Sequence, residues 1–186
     1  MKLYGSFTSP FVRHVRIVLL ETGLACELIE TDQAASAIKS PTKRVPFLED
    51  GGTFLTDSSS IIKYLREKAG QSFCKTAQEL DEFCLANTAL DATVNLFFIR
   101  RDGVDTGTIP YLNRQAARIE STLTELDGLK LPGSAPYNDA QLRLACYIGW
   151  CKLRKQVDFS AYPNLEKFYN AALEYPHFSA TRPPEN

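Results

Sequence analysis

The sequence is poor in the residues that build metal and nucleic-acid sites. It has two histidines, His14 and His177, with no ligand spacing around either, which argues against a histidine-based metal centre. It has no excess of charge of either sign: 21 Lys and Arg stand against 22 Asp and Glu, for a formal net charge of −1. The pI is about 6.1. Without a global basic field to hold a polyphosphate backbone, nucleic acid is not an expected partner. Long apolar runs are missing as well. A run such as Ile17 to Leu20 is far short of the about 20 residues that cross a bilayer, so no membrane is expected. The first ten residues lack the apolar stretch and small-residue cleavage site of a secretion signal. Cys-x-x-Cys pairs are absent too. The five cysteines, Cys26, Cys74, Cys84, Cys146 and Cys151, form an odd, scattered set that fits free thiols in a reducing cytoplasm, where they are expected to be buried packing residues.

What is present is a core. Apolar residues make up 44% of the chain and aromatics 11%, which excludes disorder as its main state. A length of 186 residues allows one domain or two small ones, and the periodicity favours two. Lys2 to Gly5 reads as a short strand. From Pro10, apolar residues at Phe11, Val12, Val15, Val18 and Leu19 follow one helical face, with Arg13, His14, Arg16 and Glu21 on the other, His14 as a surface residue. Proline suits the first turn of this helix and Gly23 the residue after its end. Cys26 to Glu30 reads as a second strand, then a short irregular stretch, then Val45 to Leu48 as a third. Glu49-Asp50-Gly51-Gly52 is a hairpin turn into Thr53 to Thr56. Asp57-Ser58 opens a helix with Ile61, Ile62 and Leu65 inward, stopping near Gly70. The strand–helix–strand unit implies parallel pairing with an antiparallel hairpin beside it.

After Gly70 only the helical period remains. Thr76-Ala-Gln-Glu79 has the pattern of a capping box, and Leu80, Phe83, Asn87, Leu90, Val94 and Phe97 follow at alternating gaps of three and four. Leu112, Ala116, Ile119, Leu123 and Leu126 form a second stripe ending at Gly128. Asn138-Asp-Ala-Gln141 is a second capping box, ahead of Leu142, Ala145, Cys146 and Leu153. A last helix runs from about Pro163, with Leu165, Phe168 and Ala172 inside. Phe97, Phe98 and Tyr111 read as core and rim. The expected organisation is a thioredoxin-like α/β domain over residues 1–70 and an all-helical bundle domain over 76–186, with a linker between.

The first helix start carries the chemistry. In a thioredoxin-like layout, Ser9-Pro10-Phe11-Val12 falls where a Cys-x-x-Cys would sit, because a helix N-terminus stabilises a thiolate. Both sulfur positions are lost, so no dithiol chemistry of the chain's own runs there. A hydroxyl at a helix N-terminus remains, able to stabilise a thiolate brought by a ligand. Val45-Pro46 opens the third strand, where a cis bond would leave the Val45 amide and carbonyl to pair with an extended peptide. Asp57-Ser58 supplies a carboxylate for an ammonium, and a hydroxyl with helix-start amides for a carboxylate. Together these describe a site shaped for a thiol peptide with an amino-acid end, that is, for glutathione.

At these residues the chain resembles the glutathione S-transferase superfamily along nearly its whole length. Ser9-Pro10-Phe11-Val12-Arg13 is similar to the catalytic helix start of serine-type members. Ser40-Pro41-Thr42-Lys43-Arg44-Val45-Pro46-Phe47-Leu48 resembles the stretch Asn-Pro-x-Gly-Lys-Val-Pro-x-Leu. Asp57-Ser58-x-x-Ile61 resembles the acid–serine clamp, and Asn138-x-x-Gln141 falls at the family's helix cap. Tyr162-Pro163-Asn164-Leu165 and Pro176 to Pro183 resemble the end of bacterial members. The resemblance implies a glutathione S-transferase fold, reduced glutathione as co-substrate and a cytoplasmic homodimer. It implies Ser9 as the catalytic hydroxyl, with Val45, Pro46, Asp57 and Ser58 binding glutathione. Arg44 stands at the family's lysine position, but Lys39, Lys43 and Arg44 all remain open as the partner of the glycine carboxylate. The implied reaction transfers the glutathione thiolate to a small hydrophobic electrophile. A glutathione-dependent disulfide or peroxide reductase is the alternative enzyme, and a non-catalytic binding protein of the stringent-starvation type is the alternative without chemistry.

Overall fold

The computed structural model describes residues 1–184 and divides the chain into two compact units, one of Met1–Phe73 with the segment from Leu173 onward, the other Cys74–Ala172. The first is a four-stranded sheet with strand order β2-β1-β3-β4, from β1 (Lys2–Gly5), β2 (Glu27–Glu30), β3 (Phe47–Asp50) and β4 (Thr53–Leu55). β1 runs parallel to β2 and antiparallel to β3, and β3 is antiparallel to β4. This is the thioredoxin-like layer, followed by a helical region, that the periodicity predicted.

Helices α1 (Pro10–Thr22) and α3 (Ser58–Lys68) pack against the sheet. Their Val15, Val18, Leu19, Ile61, Ile62 and Leu65 close one core with Leu3 and Leu48. Gly23 ends α1 in the left-handed conformation at φ 66, where glycine carries no Cβ penalty. Gly5 has a different reason: a Cβ built there would lie 2.5 Å from Val12 Cγ2. The strand and α1 therefore approach at a distance only glycine permits. Gly5→Ala is expected to destabilise the chain by about 1–3 kcal/mol, the usual cost of overpacking, with Val12→Ala in the same chain returning part of it. Denaturant midpoints of the single and double variants check this.

Three local expectations are corrected. The stretch read as irregular contains α2 (Gln33–Lys39), capped by Asp32 Oδ1, which accepts from the Ala35 amide at 2.8 Å. Only Ser36 of this helix is buried and Ile38 is 87% exposed, so no apolar stripe announces it. β3 starts at Phe47 rather than Val45 and the turn moves on to Gly51-Gly52, because Pro46 has no amide to give the ladder. β2 likewise begins at Glu27 rather than Cys26.

The outward face of α1 is not a solvent face. Arg13 and His14 are buried, which corrects the reading of His14 as a surface residue. The segment after Leu173, with α8 (Pro176–Ala180), packs on Arg13. The Arg13 guanidinium stacks on the Phe178 ring, 3.7 Å from its centroid, and its Nη2 donates to the Phe178 carbonyl at 2.8 Å. At the other end of α1 the Tyr175 hydroxyl donates to Glu21 Oε1 at 2.6 Å, while Glu21 Oε2 meets Arg66 Nη2 at 2.6 Å. Burial, and then the bond to Glu21, push the Tyr175 phenol well above the ordinary tyrosine value. An unfolded Tyr175 loses its proton near pH 10 while the folded one keeps it, so its contribution is complete below about pH 10 and fades as pH rises further. Tyr175→Phe is therefore expected to lower stability near neutrality but to flatten the alkaline decline by one proton. Unfolding free energies measured from pH 8 to 11 check both.

The second unit holds α4 (Ala77–Arg101), α5 (Pro110–Asp127), α6 (Asp139–Arg154) and most of α7 (Pro163–Leu173). Asn138 and Gln141 form the reciprocal capping box, at 2.9 and 3.0 Å. At α4 the box is half made: Thr76 accepts from the Glu79 amide, but Glu79 reaches the Lys75 amide instead of that of Thr76. The α4 stripe is also rotated from the expected one. Leu80 is 45% exposed, while Ala86, Ala89 and Thr93 are buried beside Phe83 and Leu90; these are small residues, which a search for large apolar side chains passes over. α6 is buried from Leu142 to Cys151 and is the bundle's central helix, with Leu153 left exposed near its end. Of the cysteines expected to be packed inside, Cys146 and Cys151 are buried, Cys26 and Cys74 are half-buried, and Cys84 is exposed. No helix among the described residues is long and apolar enough to cross a membrane.

Candidate functional site

Strand register brings the sequence-predicted residues of the first unit to one end of the sheet. β1 points its C-terminal end toward the loop that leads to Ser9. β3 runs the other way, pairing Phe47 with Tyr4, so Val45-Pro46, just before Phe47, lies beside that same end. β4 reverses again, pairing Leu55 with Leu48, and delivers Asp57-Ser58 there. Three segments from distant parts of the sequence therefore meet where β1 stops and α1 starts.

Each has a defined local geometry. Ser9 is the N-cap of α1, with Oγ accepting from the Val12 amide at 3.4 Å. That bond is long for its type, and a hydroxyl that accepts one bond still has its proton to donate. The cap and a bond to a ligand's sulfur are thus compatible. The Val45–Pro46 bond is cis, and Val45 precedes the first paired residue of β3. Asp57 caps α3 through Oδ1, which accepts from the Ser59 amide at 2.7 Å, and the residue is exposed. Ser58, the first helical residue, is 4% exposed. The N-terminal ends of α1 and α3 both carry partial positive charge, favourable to a thiolate and a carboxylate.

The basic residues differ in what holds them. The Lys39 ammonium lies 4.8 Å over the Tyr4 ring; Tyr4 stacks on Phe47 at 4.5 Å between centroids and donates to Glu49 Oε2 at 2.8 Å. Lys43 sits at φ 54, in the left-handed region that favours glycine, and it occupies the position where the similar family stretch has glycine. Arg44, next to it, is exposed. Sequence reasoning missed Arg13 and Arg16 as anchors of α1. Their partners Phe178 and Thr181 were visible as part of a motif, but nothing local tied that motif to α1. No group of three or more His, Cys, Asp or Glu side chains among the described residues is placed to hold a metal.

Residues 3–73 match the family of glutathione S-transferase N-terminal domains. Over its whole length the chain is 28% identical to the whole of an uncharacterised glutathione S-transferase-like protein of Escherichia coli K12. Across 98% of this chain and 91% of the relative, it is 29% identical to glutathione S-transferase Z1 of Arabidopsis thaliana. Among solved structures, a Methylobacterium radiotolerans glutathione S-transferase in complex with glutathione sulfonate superimposes with a TM-score of 0.84, at 24% identity, over 100% of this chain and 95% of that one.

Proposed function

We propose that this chain, a member of the glutathione S-transferase superfamily, binds reduced glutathione on its first unit and transfers the bound thiolate to a small hydrophobic electrophile. The observation that carries the reading is the convergence of Ser9, Val45-Pro46 and Asp57-Ser58 at one end of the sheet. The glutathione sulfonate bound in the similar Methylobacterium structure, a derivative of glutathione oxidised at its sulfur, supports it.

Ser9 donates a hydrogen bond from its hydroxyl to the glutathione sulfur, and the α1 N-terminus adds its dipole. Val45 pairs through its backbone with the cysteinyl unit, beside Pro46. Asp57 takes the γ-glutamyl ammonium, and Ser58 with the first amides of α3 takes the γ-glutamyl carboxylate. Arg44, exposed and next to Val45, is the proposed partner of the glycine carboxylate. Once the thiol proton has gone to solvent, the sulfur lone pair forms a bond to the electrophilic carbon, and any leaving group departs with its electron pair. The resemblance adds a homodimer to the reading.

Calorimetric titration of the purified chain with reduced glutathione tests it first. Binding in the micromolar to low-millimolar range, followed by conjugation of a halogenated aromatic faster than reduction of a small disulfide, is the expected result. Heat indistinguishable from dilution up to tens of millimolar overturns the reading, and faster disulfide reduction replaces conjugation with reductase chemistry.

A further inference from the structure

The loop that carries Ser9 is held from a direction the proposed ligand does not supply. Ser9's own cap bond is 3.4 Å long, a weak restraint on where its hydroxyl stands. The loop before it is better tied: the Ser9 amide donates to the Ser6 carbonyl at 3.0 Å, and the Ser6 and Thr8 hydroxyls lie 3.0 Å apart. Between them sits Phe7. Its ring lies under the Arg16 guanidinium, 4.7 Å from centroid to Cζ, and Arg16 Nη1 donates to the Thr181 carbonyl at 3.3 Å.

Arg16 therefore has two grips, one on the Ser9 loop and one on a segment 165 positions away in sequence. Arg13, on the same face of α1 three residues earlier, also grips that segment, through Phe178 and Thr181. Arg13 is 3% exposed, so removing it threatens the fold. Arg16 is half-buried and its partners separate the two jobs. A planar guanidinium stacks by its face while donating from its edge; an ammonium cannot do both in one geometry.

We propose that Arg16 is a positioning residue for Ser9, clamping the Ser6–Thr8 loop to the segment Pro176–Thr181 so that this distant segment sets where the Ser9 hydroxyl stands. The inference rests on the glutathione reading for its catalytic consequence, but not for the clamp itself.

The test compares the full wild-type chain with Arg16→Ala, Arg16→Lys and Phe7→Leu, without and with reduced glutathione. Without ligand, amide hydrogen exchange over residues 6–12 is expected to be about tenfold faster in Arg16→Ala and Phe7→Leu, and intermediate in Arg16→Lys, while exchange in β1 and β3 stays at wild-type rates. With glutathione, kcat at pH 7 for a halogenated aromatic is expected to fall by no more than the about twofold expected for removing the Ser9 hydroxyl itself, with glutathione Kd within about twofold of wild type. The ultraviolet titration midpoint of the bound thiolate moves up in the same order of variants. Unchanged exchange over 6–12 overturns the clamp. A uniform rise across the whole unit also overturns it, because that marks a merely structural role. A wild-type chain that binds no glutathione fails the functional reading separately, and the exchange measurement then decides the clamp alone.

Discussion

Asp57→Asn is expected to bind reduced glutathione about tenfold more weakly than the wild-type chain, while unfolding at the same denaturant concentration. The two halves of that expectation come from the two things Asp57 is read as doing. Its Oδ1 caps α3 on the Ser59 amide at 2.7 Å, a task asparagine performs as well as aspartate. Its negative charge is the only part that an ammonium requires, and asparagine lacks it. A hydrogen bond to a charged group is worth about 1.5–3 kcal/mol, which is at least tenfold in affinity. Asp57 is exposed, so screening keeps the effect at the lower end, and the loss should shrink further as salt is added. Asp57→Ala removes the cap as well and is expected to lose about 1 kcal/mol of stability along with the affinity. Calorimetry and chemical unfolding on the three chains separate the roles. If Asp57→Asn binds glutathione like wild type, Asp57 is a helix cap and nothing more.

What the sequence disclosed follows from how local each signal was. α1 is bounded by Pro10 and Gly23, α3 by Asp57 and Gly70, and α6 by the Asn138–Gln141 box; each of these acts within a few residues of itself, so reading along the chain finds it. α2 gave no signal because a helix that buries only Ser36 has no stripe to display. The α4 stripe was rotated because its buried face includes Ala86, Ala89 and Thr93, small residues that do not stand out beside the large apolar side chains a stripe is read from. Arg13 and His14 were placed outward because charge and polarity normally mean solvent. What holds Arg13 is a segment some 165 positions later, and no periodicity reaches that far. The candidate site divides in the same way. Its segments were found individually as caps and a strand-start proline, and the family resemblance tied them together. That they share one end of the sheet is a matter of register, Tyr4 with Phe47 and Leu48 with Leu55, which the sequence does not display. The cation for the glycine carboxylate is undecided in the sequence for a related reason: the choice depends on tertiary placement, such as Lys39 lying over Tyr4.

Ser9→Ala is expected to move the midpoint of the pH–rate profile for conjugation upward by about 1–2 units, because one charge-assisted hydrogen bond to a thiolate is worth about 1.5–3 kcal/mol. The rate at pH 7 should change much less. If the bound thiol titrates about two units below a free one near 8.5, it is mostly thiolate at pH 7, and a rise of about 1.5 units cuts that to roughly one tenth. The more basic thiolate is, however, about fivefold more nucleophilic if the slope for disulfide exchange carries over. The two nearly cancel, leaving a loss of about twofold at pH 7. Above about pH 7.5 the remaining ionisation penalty is smaller than the gain in nucleophilicity, so the variant should overtake the wild type. A crossing of the two profiles is therefore the signature of a hydroxyl that acts on ionisation. A variant slower at every pH, with its midpoint also raised, would mean that Ser9 holds the sulfur in place as well. A profile with an unmoved midpoint would leave Ser9 only the cap it makes to Val12, for which its substitution costs about 0.5–1 kcal/mol of stability, the low end expected for so long a bond.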